Sequence, residues 1–136
     1  RAPPNEMSNP VNLFLKDIAA SGLTVRVQGT CMDSSIPDGS RVRIRQSRFP
    51  LPGDVVVVPG EDRLLVHRVI GAYRRNGAWK ILTRADRGAR PDMAVHASAV
   101  IGKVVSKDGR PLRVPVGTRL LAFTRFLRFA LVGYAR

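Results

Sequence analysis

The stretch of sequence from residue 23 to residue 45 reads LTVRVQGTCMDSSIPDGSRVRIR. Apolar and polar residues alternate over 24–28 and again over 41–45, and this period of two is typical of strands with one buried face. The triplet Pro-Asp-Gly at 37–39 favours a turn just before the second strand. The stretch therefore predicts two paired strands, joined by a loop that contains Cys31, the only cysteine of the chain.

Further β patterns follow this pair at regular spacing. They are separated by turn signals, such as Arg-Asn-Gly at 75–77 and Asp-Gly at 108–109. Before them, an apolar pattern of helical period over 10–21, closed by Gly22, predicts a helix. We therefore expect a mainly β fold, a coiled antiparallel β-sheet or small barrel with an N-terminal helix. The additional predicted strands cover 55–58, 64–70, 79–83, 99–105 and 110–114.

The net charge and the small numbers of cysteines and histidines limit which partners and cofactors the protein is expected to bind. The chain of 136 residues has 23 Lys and Arg against 10 Asp and Glu, a net charge of +13, which attracts polyanions such as nucleic acid or anionic lipid. A single cysteine excludes an internal disulfide and a thiolate-rich zinc site. The two histidines, His67 and His96, belong to no metal-binding motif, so no metal site is expected from the composition.

The two ends of the chain differ from its middle. Residues 1–9 are expected to be a flexible tail, and 10–117 to form the folded domain. Residues 118–136 contain no acid and interleave apolar residues with arginines, which predicts a basic amphipathic helix. This helix could pack on the sheet, lie on an anionic membrane surface or dock on a partner. With no transmembrane run and no visible signal peptide, we expect a membrane-associated or cytoplasmic location.

The loop that contains Cys31 carries a motif. Residues 29–39 read GTCMDSSIPDG, which resembles the nucleophile motif Gly-x-Ser-Met-x-Pro-Thr-Ile-x-Asp-Gly of the signal peptidase I and LexA-type peptidases. Cys31 stands at the position of the nucleophilic serine. The resemblance implies that Cys31 is the nucleophile of a thiol peptidase and that Gly29, Thr30 and Met32 belong to the substrate site.

Two further segments resemble parts of the same family. Residues 65–71 read LVHRVIG, similar to the segment of those signal peptidases that use histidine as base, and 82–92 read LTRADRGARPD, similar to the family's acidic box. An imidazole can accept the proton of a thiol near neutral pH. The resemblance implies that His67 is the base, that Asp92 orients it and that Asp86 belongs to the same catalytic set, shaping the loop. The alternative is that both aspartates are solvated and pair with nearby arginines.

Segments 53–56 and 101–105 also resemble the family, so the likeness extends over about residues 22–106. It implies a signal-peptidase-like endopeptidase that cleaves a precursor or leader peptide, bound as an added strand at a sheet edge. Such an enzyme is expected to need neither a metal nor an organic cofactor. Two departures stand out, because Ser34 replaces a proline and Gly29 lacks a hydroxyl that assists the oxyanion hole in some members. Slow turnover or a narrow substrate range is therefore expected.

Two other functions are compatible with parts of the sequence. A catalytically inactive member of the family would bind peptides or membranes without cleaving them, but such a chain has no reason to retain the histidine and both aspartates. A nucleic-acid-binding domain would use the alternating arginines of 41–45 as a basic face. Aromatic residues make up only 6% of the chain and do not interleave with that face. No helix-turn-helix precedes the domain, so nucleic acid is not the expected partner.

Overall fold

The alternating stretch forms two antiparallel strands, β1 (Leu23–Arg26) and β2 (Arg41–Arg45), in the computed structural model of the chain. In β2 the residues Val42 and Ile44 are fully buried and the arginines between them are exposed, as the pattern predicts. The structure describes residues 18–19, 22–29, 32, 35–46, 49–59, 64–88, 91 and 94–134.

Within this part of the chain, eight strands form one antiparallel sheet that curls into a half-barrel. The remaining six are β3 (Val55–Pro59), β4 (Leu64–Arg75), β5 (Ala78–Arg84), β6 (Val95–His96), β7 (Gly102–Lys107) and β8 (Arg110–Pro111). Their order in the sheet is β1-β2-β7-β3-β4-β5-β6, and β8 pairs with β7. The predicted mainly β fold with a coiled antiparallel sheet is confirmed.

Two hairpins close with the turns that the sequence predicts. Asn76 and Gly77 join β4 to β5, and Asp108 and Gly109 join β7 to β8. All four residues have positive φ angles, between 50° and 80°. Tight hairpins of this type need positive φ at both central positions, which Asn-Gly and Asp-Gly adopt at low cost.

The predicted strand at 99–105 was misplaced at its start. Residues Ala97–Ala99 form a single 3-10 turn, and β7 begins only at Gly102. Val100 and Ile101 are buried in the core all the same, because an apolar run can be buried without joining the sheet over its whole length. The two-residue strand β6 was not predicted, and β8 is shorter than the expected 110–114.

Strand β3 explains how the core is divided. All five of its residues are buried, and successive side chains point to opposite faces. Val55 and Val57 join one apolar cluster with β2 and β7, whereas Val56 and Val58 join a second cluster with β4 and β5. A continuous apolar strand is therefore buried on both faces, in the middle of the sheet.

The C-terminal helix α1 (Val116–Tyr134) begins two residues before the predicted start. No helix in the described ranges is long and apolar enough to cross a membrane. At the other end, Ile18 and Ala19 are helical, and Gly22, with φ of 98°, donates its N–H to the carbonyl of Ala19. The rest of the helix expected at 10–21 and the tail at 1–9 lie outside the described residues.

Candidate active-site groove

The loop between β1 and β2 is closed at its base by backbone hydrogen bonds. The N–H of Val27 donates to the carbonyl of Ser40, and the N–H of Gly39 donates to the carbonyl of Val27, both at 2.8 Å. Above them, the N–H of Gly29 donates to the carboxylate of Asp38 at 2.9 Å. The Asp-Gly pair that ends the motif thus holds the two ends of the loop together.

Buried side chains fix the middle of this loop. Met32 is 2% exposed and Ile36 is fully buried, and both belong to the core cluster around β2. The N–H of Ile36 donates to the carbonyl of Met32 at 2.6 Å. The predicted site residues at 30–31 lie outside the described residues, but Gly29 and Met32 on either side of them are placed.

His67 lies on β4 and is 6% exposed, with a buried Nε2 atom. It is paired in register with Val56 of β3. A cavity of about 430 Å³ opens beside it, between the end of β1 with its loop and the start of β4. Gly29 and Met32 line the same cavity as His67. The structure therefore places residues on both sides of the predicted nucleophile segment in the same cavity as the predicted base.

The remaining wall of the groove is mainly apolar. Val25, Val57 and Val66 line it and also contact the core cluster around β2, so their positions are set by packing. Apolar walls favour an extended peptide with small apolar side chains over a charged substrate. The groove is thus a mainly apolar cleft, and two titratable residues, Arg26 and His67, are among the described residues that line it.

Asp86, the acid expected to shape the loop of the site, does not line the groove. Its carboxylate accepts hydrogen bonds from the guanidinium of Arg68 at 2.8 and 2.9 Å, and one from the hydroxyl of Ser35 at 2.9 Å. Arg68 follows His67 on β4, so the two side chains point to opposite faces of the strand. These contacts tie Asp86 to the loop that contains Cys31, and its membership of the catalytic set stays a prediction. Its observed partner is Arg68.

This ion pair also supports the loop that contains Cys31. The hydroxyl of Ser35 bridges Asp86 and Arg68, and the backbone N–H of Asp86 donates to the sulfur of Met32 at 3.3 Å. Lys107 of β7 donates to the carbonyl of Ser35 at 2.9 Å. The acidic box therefore packs directly against the segment that follows the expected nucleophile.

Electrostatics favour the charged form of Asp86. Burial raises the pKa of its carboxyl, but hydrogen bonds and the positive charge of Arg68, together with the hydrogen bond from Ser35, outweigh burial and lower the pKa below its ordinary value. Since the side chains of Arg68 and Asp86 are only 14% and 16% exposed, solvent screens the pair weakly. The carboxylate of Asp86 therefore remains ionised at neutral pH.

Arg68 and Ser35 were not predicted as site residues. Arg68 could have been recognised in the sequence, because it is a charged residue within the otherwise apolar run of β4 and stands next to the expected base. Ser35 carried no signal, because its hydroxyl meets a carboxylate 51 positions further along the chain. Asp92, the predicted partner of the second ring N–H of His67, lies outside the described residues and stays a prediction.

Comparison with known proteins adds no relative. No known protein family matches the chain, and a search of characterised proteins finds no match. The likeness to the signal peptidases therefore stays a prediction from the motifs.

Proposed function

We propose that this protein is a thiol endopeptidase of the signal-peptidase type, which cleaves an extended precursor or leader peptide in the groove beside His67. One observation carries the proposal. Gly29 and Met32, which flank the segment with Cys31, line the same cavity as His67. A nucleophile and its base must lie within hydrogen-bond reach of each other, and a shared cavity is the arrangement that allows it.

Backbone directions on β1 favour a peptide bound as a strand. Val27 exchanges both of its backbone hydrogen bonds with the β2 side, at Ser40 and Gly39. Successive residues of an antiparallel pair alternate in direction. The N–H of Gln28 therefore points away from β2, toward the groove that Gln28 lines. A peptide lying in the groove would accept this hydrogen bond.

On the opposite wall of the groove, the start of β4 also has backbone groups that point away from its neighbouring strand. Val69 of β4 bonds to the β3 side, where its N–H donates to Asp54 and its C=O accepts from Gly53. Because the hydrogen-bonding direction alternates from one residue of a strand to the next, the N–H and C=O groups of Val66, three residues before Val69, point away from β3. The described pairs between β4 and β5 begin only at Arg68. An extended peptide between the two walls would thus find backbone partners on both sides, which fixes the scissile carbonyl.

The chemistry follows the scheme of thiol peptidases. His67 takes the proton of the Cys31 thiol, and the thiolate attacks the scissile carbonyl carbon. The oxyanion that forms is stabilised by backbone N–H groups of the loop. The imidazolium then protonates the leaving amine, and water hydrolyses the thioester. Asp92 holds the ring of His67 through its second N–H.

The decisive experiment is alkylation of Cys31 by iodoacetamide as a function of pH. We expect the rate to follow a thiolate with a pKa below about 8.5, the value of a free thiol. The variant His67→Gln should return the profile to that of a free thiol. His96→Gln is the matched control, because His96 lies on β6, away from the groove, and this variant should leave the profile unchanged.

Turnover is tested with peptides that carry small residues before the cut. Cleavage should occur in the native chain and cease in Cys31→Ala. If the native chain alkylates like a free thiol, and neither histidine variant changes the profile, the proposed site is wrong. An assembled thiolate without cleavage of any extended peptide would instead indicate the inactive, peptide-binding alternative.

A further inference from the structure

Helix α1 is held on the sheet by one face. The guanidinium of Arg119 donates to the buried carboxylate of Asp54 at 2.9 Å and to the carbonyl of Pro52 at 3.1 Å. Ala122 is buried, and the ring of Phe126 lies directly over Gly71 of β4. These three helix residues are spaced by three and four positions, so they form one side of the helix. The sheet-packing role considered for this helix is therefore correct for that side.

A second side of α1 remains exposed. Eight of the twelve exposed large apolar side chains in the described part of the chain lie on this helix. Five of them recur every three or four residues and are between 46% and 73% exposed. A contiguous apolar stripe of this kind marks an interaction surface rather than scattered surface residues. This outer stripe consists of Val116, Leu120, Phe123, Leu127 and Leu131.

The charge around the outer stripe has one sign. After Asp108 the chain contains six arginines and no acidic residue. Arg128 lies exposed on the helix beside the stripe. An exposed apolar stripe beside Arg128, on a protein of net charge +13, complements a membrane surface, whose interior is apolar and whose headgroups are negative.

We infer that α1 docks the protein on an anionic lipid surface through the outer stripe, with the helix parallel to the membrane. The helix does not qualify as a membrane span, and its Asp54–Arg119 bond keeps it on the sheet. A second copy of the chain fits less well. Two helices packed stripe to stripe would bring arginines together, and α1 offers no acid to pair them.

The test is co-sedimentation of the full chain with vesicles. Vesicles of equal parts phosphatidylglycerol and phosphatidylcholine should bind the protein, and pure phosphatidylcholine should bind it far more weakly. Binding should weaken with added salt. Replacing Leu120 and Leu127 by serine should reduce binding roughly tenfold for each leucine. Arg128→Gln should reduce binding to the anionic vesicles by roughly fivefold.

Leu51→Ser is the matched control, because Leu51 is an equally exposed leucine, 53% accessible, that lies outside the helix. It should bind the anionic vesicles like the native chain. The inference is wrong if the native chain does not bind, or if the control loses as much affinity as the double variant. It is also wrong if the native chain is a dimer that the double variant makes monomeric, since a second copy then covers the stripe. None of these outcomes depends on peptidase activity.

Discussion

Arg68 and Asp86 are joined by two parallel hydrogen bonds, at 2.8 and 2.9 Å, and Ser35 is hydrogen-bonded to both of them. The pair connects β4, which carries the expected base, to the loop that carries the expected nucleophile. Because a guanidinium and a carboxylate match in a fork-like geometry, the contact fixes orientation as well as distance. The ion pair thus connects the two halves of the candidate site, and neither Arg68 nor Asp86 lines the groove itself.

Asp86→Asn should destabilise the protein by about 2–3 kcal/mol, because it leaves the largely buried charge of Arg68 uncompensated. Urea unfolding at neutral pH would measure the change. Asp38→Asn is the control, since Asp38 is exposed and an amide oxygen can still accept the N–H of Gly29. It should shift stability by less than about 0.5 kcal/mol. Equal losses in the two variants would show that the ion pair has no special weight.

The same pair predicts how stability depends on pH. The pKa of Asp86 is lower in the folded protein than in the unfolded chain, so its contribution is complete above the unfolded value, about 4, and is lost as the pH falls through the folded value. The stability gap between the native chain and Asp86→Asn should therefore narrow as the pH falls below about 4. Urea unfolding over this range measures it, and a constant gap would contradict the assignment.

Gly71→Ala should loosen helix α1. A Cβ atom at position 71 would lie 2.5 Å from the ring of Phe126, well inside van der Waals contact. We expect a loss of roughly 1–3 kcal/mol, measured by urea unfolding. Gly117→Ala, with nothing near its added methyl group, should be neutral or stabilise the helix by up to about 1 kcal/mol. Destabilisation by both variants would mean that the packing of Phe126 is not the cause.

The fold was predictable where local patterns act alone. The alternation at 41–45 determines which face of β2 is buried, and the Asn-Gly and Asp-Gly pairs determine two hairpins through their positive φ angles. By contrast, the short strand β6 carries too few residues to show alternation. The start of β7 was misplaced because the apolar residues before it are buried outside the sheet.

The candidate site was predictable only in part. The order of the motifs suggested that His67 would approach the loop that carries Cys31, and their shared groove is consistent with it. The partner of Asp86 could not be read from the sequence, since the register of β4 decides which of several arginines it meets. The outer stripe was equally hidden, because α1 is apolar on more than one side and only its packing on Gly71 and Asp54 shows which side remains.

Gln28→Pro should impair peptide cleavage while leaving the thiol reactive. Proline removes the backbone N–H that points into the groove, and among the described residues that N–H makes no other backbone hydrogen bond. One lost hydrogen bond to the substrate corresponds to a fall in kcat/KM of about five- to tenfold. Gln28→Ala, which keeps the N–H, is the matched control and should cleave normally. Because alkylation of Cys31 needs no bound peptide, its rate should be the same in both variants. A proline variant that cleaves like the alanine variant would remove the added strand from the mechanism, even if the thiolate is assembled.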